Sequence, residues 1–152
     1  MSQIFAGLSV LVTGGGRGIG RSIVAGFAAG GARVTFADLD PAAAAETVAA
    51  SGAPAGVRFV KADVTDGAQC KASVEAAVEH GGGQLDVLVN NAGITKDNLL
   101  LRMTDVEWDR VMAVNLKGVF LMTRAAARPL MKSKQGRIVN VASVVGIMGN
   151  AG

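Results

Sequence analysis

At 152 residues, half of them hydrophobic and 4% aromatic, the chain has room for one domain with an aliphatic core, and its composition argues against disorder. A formal net charge of +3, from 15 basic and 12 acidic residues scattered along the chain, supplies no basic face or tail of the kind nucleic-acid binders carry. One cysteine excludes an internal disulfide, one histidine a His-rich metal site, and the absence of tyrosine a phenolic acid or base within these residues. No metal site is expected. No apolar run approaches the eighteen or so residues of a spanning helix, and no basic start leads into an unbroken apolar stretch. The expectation is a soluble, cytoplasmic protein without membrane or nucleic-acid partners.

Short β-branched runs alternate with alanine-rich ones. Leu8-Ser9-Val10-Leu11-Val12 reads as a buried strand ending at Thr13 and a glycine cluster. A helix follows from about Gly20, with Ile19, Ile23 and Phe27 four apart on one face, and Gly30-Gly31 stops it. Arg33 to Ala37 is a second strand closed by Asp38. Asp40 then Pro41 pairs a capping residue with proline at the first helical position, opening a helix through Ala50. Val57 to Ala62 is a third strand, followed by Asp63 and a helix from Gly67 to His80. Asp86 to Val89 is a fourth strand running into Asn90-Asn91-Ala92-Gly93. Thr104-Asp105-Val106-Glu107 has the capping-box pattern and opens a long helix to about Met131, with Pro129 near its last turn. Gly136 to Val141 is a fifth strand, leading to Ser143.

Strands separated by helices imply a doubly wound α/β fold: a parallel, Rossmann-type sheet of about five strands with helices on both faces. Residues 1–152 are expected to form a single domain, with no repeat and no linker. Ligands of such sheets sit at the carboxyl ends of the strands, where Thr13, Asp38, Asp63, Asn90 and Ser143 fall.

The turn after the first strand reads Thr13-Gly14-Gly15-Gly16-Arg17-Gly18-Ile19-Gly20. Its glycines let backbone approach a pyrophosphate, and the helix behind it offers free N–H groups and a positive dipole end. The spacing is T-G-x-x-x-G-x-G. Gly15 to Ser22 also comes within one residue of a nucleotide-hydrolase phosphate loop, but Arg21 stands where that loop needs lysine. Asp38 follows about 20 residues beyond the turn, where an acid hydrogen-bonds the adenosine ribose.

With Asp63 after the third strand, Asn-Asn-Ala-Gly at 90–93, Asn115 in Val-Asn-Leu-Lys-Gly and Ser143 after the fifth strand, the chain from Leu8 to Gly152 resembles the short-chain dehydrogenase/reductases. Within that family, residues 93–100 and 103–108 look most like 3-oxoacyl-acyl-carrier-protein reductases of fatty-acid biosynthesis, with acetoacetyl-CoA reductases close by. The extended-branch nucleotide-sugar epimerases would carry T-G-x-x-G-x-x-G, which is not the pattern here. The resemblance implies that Gly14, Gly18, Ile19 and Gly20 hold a nicotinamide dinucleotide, with Arg17 near the adenosine ribose. It implies that Asp63 and Val64 contact adenine, and that Asn90, Ala92 and Gly93 line the adenine and ribose side. Asn115 would kink the long helix and hold a relay water, and Ser143 would hydrogen-bond the reacting carbonyl.

The family's tyrosine acid and its lysine lie a dozen or so residues beyond the serine, and nine residues follow Ser143 here. The expectation is therefore a truncated copy, inactive by itself. Its parent chemistry would be reduction of a 3-oxoacyl thioester on acyl carrier protein or coenzyme A. A homo-oligomer, or pairing with a complementary C-terminal fragment, is expected. A dinucleotide-binding or interaction fragment without catalysis is the rival. Asp38 favours NAD(H), while Arg17 leaves NADP(H) open.

Other residues read more plainly. Cys70 is expected to be an inert thiol and His80 to complement a helix dipole. Met103, Met112, Met122 and Met131 are spaced like a stripe and read as core or subunit-interface residues of the long helix. Arg124, Arg128, Lys132 and Lys134 suggest a solvated face rather than a dock for an acidic carrier.

Overall fold

The computed structural model describes residues 3–149; Asn150-Ala151-Gly152, where the resemblance reaches its end, lies outside the described residues. Five strands, β1 (Ser9–Thr13), β2 (Arg33–Asp38), β3 (Val57–Lys61), β4 (Val87–Asn90) and β5 (Arg137–Asn140), form one sheet in the order β3-β2-β1-β4-β5. Every pairing is parallel. The chain thus winds outward from β1 to β3, crosses back, and continues on the other side through β4 and β5. That is the Rossmann-type order, and its reversal opens a crevice between β1 and β4.

Alternation along the strands divides the core into two layers. Val10, Val12, Val34, Phe36, Val87 and Val89 point to one face, under Val24 and Ala28 of α1 (Gly18–Ala29) and Ala44 of α2 (Pro41–Ala50). Leu11 and Leu88 point to the other, under Val74 and Ala77 of α3 (Gly67–His80) and Leu121, Met122, Ala126 and Leu130 of a later helix, α5 (Val119–Lys132). Strands buried on both faces read as continuous apolar runs, which is why β1 and β4 were legible.

The helix starts follow their caps. Asp40 accepts from the backbone N–H of Ala42 and Ala43, and Asp66 does the same for Ala68 and Gln69. Thr104 and Glu107 form the reciprocal capping box of α4 (Asp105–Met112). These hydrogen bonds, first that from the Thr104 backbone, hold the Glu107 carboxyl below its usual range.

Several expectations need correction. The long helix is not uniform: Ala113–Gly118 forms a π-helical segment between α4 and α5. Apolar spacing at three and four residues cannot reveal such an insertion, because the pattern before and after it is ordinary helix. Ile19 is 67% exposed and takes no part in the buried face of α1, which consists of Gly20, Val24 and Ala28. The first turn of α1 starts past the end of β1, so residue 19 has no sheet beneath it. Of the methionines, Met122 is buried in the core and Met131 is exposed. A short helix, α6 (Val145–Met148), follows Ser143. Along β5 every residue is exposed.

His80 is not a dipole partner either. Its Nδ1 lies 3.2 Å from the Thr35 hydroxyl in the seam between α3 and β2. Burial, then Arg58 and Arg33, lower its pKa, so the ring is neutral at pH 7 and carries no charge toward the helix end. Burial raises the pKa of Cys70, aided by Asp66 and Asp63, which leaves a buried thiol rather than a thiolate.

Candidate active site

The glycine-rich turn leaves β1 at the crevice. Gly14 takes φ +66°, a conformation other residues avoid, and a Cβ there would stand 2.9 Å from the Ala92 Cα. Gly20 faces the carbonyl oxygen of Gly14, and an added Cβ would overlap it outright. The turn is tied to β2 by the N–H groups of Gly14 and Gly15, both donating to the Ala37 carbonyl at 2.7 and 3.3 Å.

The Asn90–Gly93 run ties it to β4. The Thr13 hydroxyl oxygen accepts from the N–H of Asn91 and of Ala92, each at 3.0 Å. Asn91 Nδ2 donates to the carbonyls of Thr13 and Gly14, also at 3.0 Å. The resemblance assigns no role to Asn91, and none to Thr13 beyond its place at the strand end. The available signal was the doubled asparagine itself, since a side-chain amide is what two strand-end carbonyls at a crevice require.

Asp38, at the end of β2, accepts from Gly16 N at 2.8 Å through Oδ2 and from Asp40 N at 3.1 Å through Oδ1. Each carboxylate oxygen keeps lone-pair capacity for a further donor. Arg17 occupies the N-cap of α1 with no side-chain cap hydrogen bond, and it is exposed like its neighbours Gly18 and Ile19. The other strand-end residues are spread along the same edge. Asp63 Oδ1 accepts from the N–H and hydroxyl of Thr65, both at 2.8 Å. Val64 packs toward the π segment, where a Cβ on Gly118 would meet its Cγ2 at 2.9 Å.

Asn90 is 3% exposed, and its Nδ2 donates to Thr123 Oγ1 and Asn140 Oδ1. Its amide nitrogen is committed to the seam between β4, β5 and α5, while its buried Oδ1 has no hydrogen-bond partner among the described residues. Asn115, in the π segment, clamps Ile94 in both directions, accepting from its N–H and donating to its carbonyl, each at 2.9 Å. Gly93 lies beside it, with a hypothetical Cβ 3.5 Å from Asn115 Oδ1. Ser143 stands apart from these bonds. It is exposed, and its Oγ accepts only from Val145 N, at 3.2 Å, among the described residues.

A family profile described as short chain dehydrogenase matches residues 9–152. The chain belongs to the short-chain dehydrogenase family. It is 42% identical over 151 residues to the 3-oxoacyl-[acyl-carrier-protein] reductase FabG of Escherichia coli, covering 97% of this chain and 59% of that protein. It is 45% identical to the (3R)-3-hydroxyacyl-CoA dehydrogenase of Mus musculus, covering 93% of this chain and 58% of that one. A short-chain dehydrogenase/reductase from Brucella melitensis, described as a glucose/ribitol dehydrogenase, superposes with a TM-score of 0.91 at 31% identity. That match covers 99% of this chain and 62% of the solved one. The chain thus spans about three-fifths of the length of the relatives it matches.

Members of this family bind a nicotinamide dinucleotide, and the residues at the crevice fit one. The N-terminus of α1 has no side-chain acceptor at its cap, which leaves its first N–H groups to an external anion. At Gly18, φ +53°, a Cβ would find nothing within 4 Å, so this open space borders the turn instead of being filled by protein. Among the described residues no helix is long and apolar enough to cross a membrane. Among the same residues no group of three or more His, Cys, Asp or Glu could hold a metal.

Proposed function

We propose that this chain is the dinucleotide-binding portion of a nicotinamide-dependent reductase of 3-oxoacyl thioesters, with a preference for NAD(H). The observation that carries the reading is the Asp38 carboxylate, at the end of β2, fixed against the N–H of Gly16 in the turn that leaves β1. At the crevice the N–H groups behind Gly18 and Gly20 would hold the pyrophosphate of a bound dinucleotide, and Asp38 would accept from its ribose hydroxyls. A 2′-phosphate would bring a dianion against that carboxylate, whereas Arg17 offers the compensating cation. Asp63, Val64, Ala92 and Gly93 border the adenine and ribose side. Asn90 acts there through the backbone it braces.

A nicotinamide held there would supply the hydride for the carbonyl carbon. The chain's own residues must orient the carbonyl and deliver a proton to its oxygen. Ser143 Oγ donates a hydrogen bond to that oxygen. Asn115 has one amide hydrogen and one lone pair left after its clamp on Ile94, and these can hold a relay water. Neither group is an adequate acid at neutral pH, since efficient proton transfer needs a pKa near the working pH. The thioester class, on acyl carrier protein or coenzyme A, is taken from the two relatives named above. A second copy is the partner we assign to the exposed Leu116 and Phe120 of the π segment and α5.

One observation favours a second reading, a dinucleotide-binding module without turnover: the Ser143 hydroxyl is exposed and makes a single hydrogen bond, from Val145 N, among the described residues. Calorimetric titration of NADH and NADPH into the chain tests the common core of both. NADH is expected to bind the tighter. NADPH binding more tightly would overturn the preference, and no binding of either would overturn the function.

A further inference from the structure

We propose that Arg21 and Thr47 are positioning residues that set the cofactor preference of the glycine-rich turn, by fixing the Gly16 peptide against Asp38. This rests on the reading of the turn as a dinucleotide cradle. Gly16 is held from two sides. Its N–H donates to Asp38 Oδ2 at 2.8 Å. Its carbonyl accepts from Arg21 Nη2 at 2.8 Å, with Arg21 Nε at 3.2 Å and the Thr47 hydroxyl at 2.9 Å.

The clamp spans three elements. Arg21 comes from α1, Thr47 from α2, and Asp38 from the end of β2. Thr47 is 1% exposed, and its hydroxyl lies within hydrogen-bond distance of the carbonyls of Gly15, Gly16 and Ala43. One proton can serve only one of them at a time. Arg21 relieves that shortage: its Nε donates to the Thr47 oxygen at 3.1 Å, and its Nη2 also reaches Ala43 O at 3.4 Å. Glu46 Oε2, 2.8 Å from Nη2, keeps the fork in place. A planar guanidinium can address several acceptors in one plane, which a point-like ammonium cannot.

Gly16 has no side chain to restrain its peptides, so its orientation depends on these partners. Removing Arg21 leaves the Gly16 carbonyl to an overcommitted hydroxyl. As that carbonyl turns, the N–H on the other side of Gly16 leaves Asp38, which then keeps only the Asp40 N–H. A carboxylate held at one oxygen serves ribose hydroxyls less well and yields more readily to a 2′-phosphate. Loss of the clamp therefore changes the ratio of the two affinities. General loosening of the domain would lower both together.

The test measures NADH and NADPH dissociation constants by calorimetry for the full chain and for R21A, R21K and T47V. It also follows the Gly16 amide resonance in the ligand-free proteins, with D38N as reference. Losing a charge-assisted hydrogen bond should weaken NADH about tenfold in R21A, with NADPH weakened about threefold or less. R21K should fall between R21A and the unmodified chain. T47V, close to threonine in shape, should move the ratio the same way by a smaller factor. The Gly16 amide should shift in R21A toward its position in D38N. Equal weakening of both cofactors with an unmoved Gly16 amide would overturn the inference, as would variants that bind like the unmodified chain. If the unmodified chain binds neither cofactor, the dinucleotide reading falls and this inference with it.

Discussion

Val89 and Val139 are register partners on adjacent parallel strands, yet Val89 is 2% exposed and Val139 46%. The same contrast runs through the groups at the strand ends. On the β1 side, Thr13, Asp38 and Asn91 each make two or more hydrogen bonds that cross between elements or fix a turn. On the β5 side, Ser143 receives one, from two residues further on. Both regions were assigned to one site, but they place different demands on the chain. A dinucleotide cradle needs backbone held in a fixed, partly strained shape, and the layers under α1, α2, α3 and α5 supply that. Proton delivery to a carbonyl needs an acid held at a distance set by its surroundings, and the β5 end supplies exposed backbone and an exposed hydroxyl.

The largest effect that would break this contrast is catalytic. Binding and turnover should separate: the purified chain is expected to bind dinucleotide yet reduce acetoacetyl-CoA roughly 10²–10⁴-fold more slowly than a relative equipped with its acid, the usual worth of a positioned proton donor. S143A should leave dinucleotide affinity unchanged. Steady-state rates in protein freed of host reductases check this. Turnover comparable to a complete relative would show that the β5 end performs the chemistry as it stands.

A pair of glycines sharpens the comparison at the level of stability. In G20A the new methyl group overlaps the Gly14 carbonyl and lies 2.6 Å from Asn91 Nδ2, so the turn must move. Overpacking of this kind costs roughly 1–3 kcal/mol, and the displaced turn should lose its dinucleotide as well. At Gly146 in α6 a Cβ meets nothing within 4 Å, and G146A should change stability by about 0.5 kcal/mol or less. Denaturant unfolding of the two variants side by side measures the difference. Equal effects would mean that the turn is as open to change as the β5 end.

The sequence showed these two regions unequally. Strand and helix placement came through because its causes are local: apolar runs for β1 and β4, Asp40-Pro41 for α2, the Thr104–Glu107 box for α4. The turn and Asp38 came through as a spacing. What stayed hidden depends on contacts across the chain. Arg21 read as a flaw in a rival motif, and its bonds to Gly16 and Thr47 appear only once α2 lies beside the turn. Asn91 read as part of a run whose neighbours carried the roles, although its amide is the one that bonds the Gly14 carbonyl. Ile19 was misplaced because helical periodicity says which residues share a face and not whether a sheet lies beneath their turn.

The smallest effect concerns the covered half alone, at the seam where His80 of α3 meets Thr35 of β2. Thr35 is buried, and its hydroxyl shares a hydrogen bond with Nδ1 of the ring. Burial lowers the His80 pKa first, then the Arg58 and Arg33 cations on β3 and β2, with Glu79 opposing them. In the unfolded chain the imidazole returns to about 6.5. As pH falls through that value the unfolded state takes up its proton before the folded state does, and stability declines. The decline continues down to the lowered folded value, below which His80 contributes no further slope. Above about pH 7 both states are neutral and the contribution is complete. Melting temperatures between pH 5 and 7.5 should therefore slope upward with pH in the unmodified chain and less steeply in H80Q, whose amide can still meet Thr35. The hydrogen-bonded carboxylates of Asp66 and Glu107, both held below their usual range, titrate at lower pH and are common to both proteins, so they cancel in the difference. Parallel slopes for the two proteins would show that the ring is solvated and that the seam between α3 and β2 is looser than the rest of the covered half.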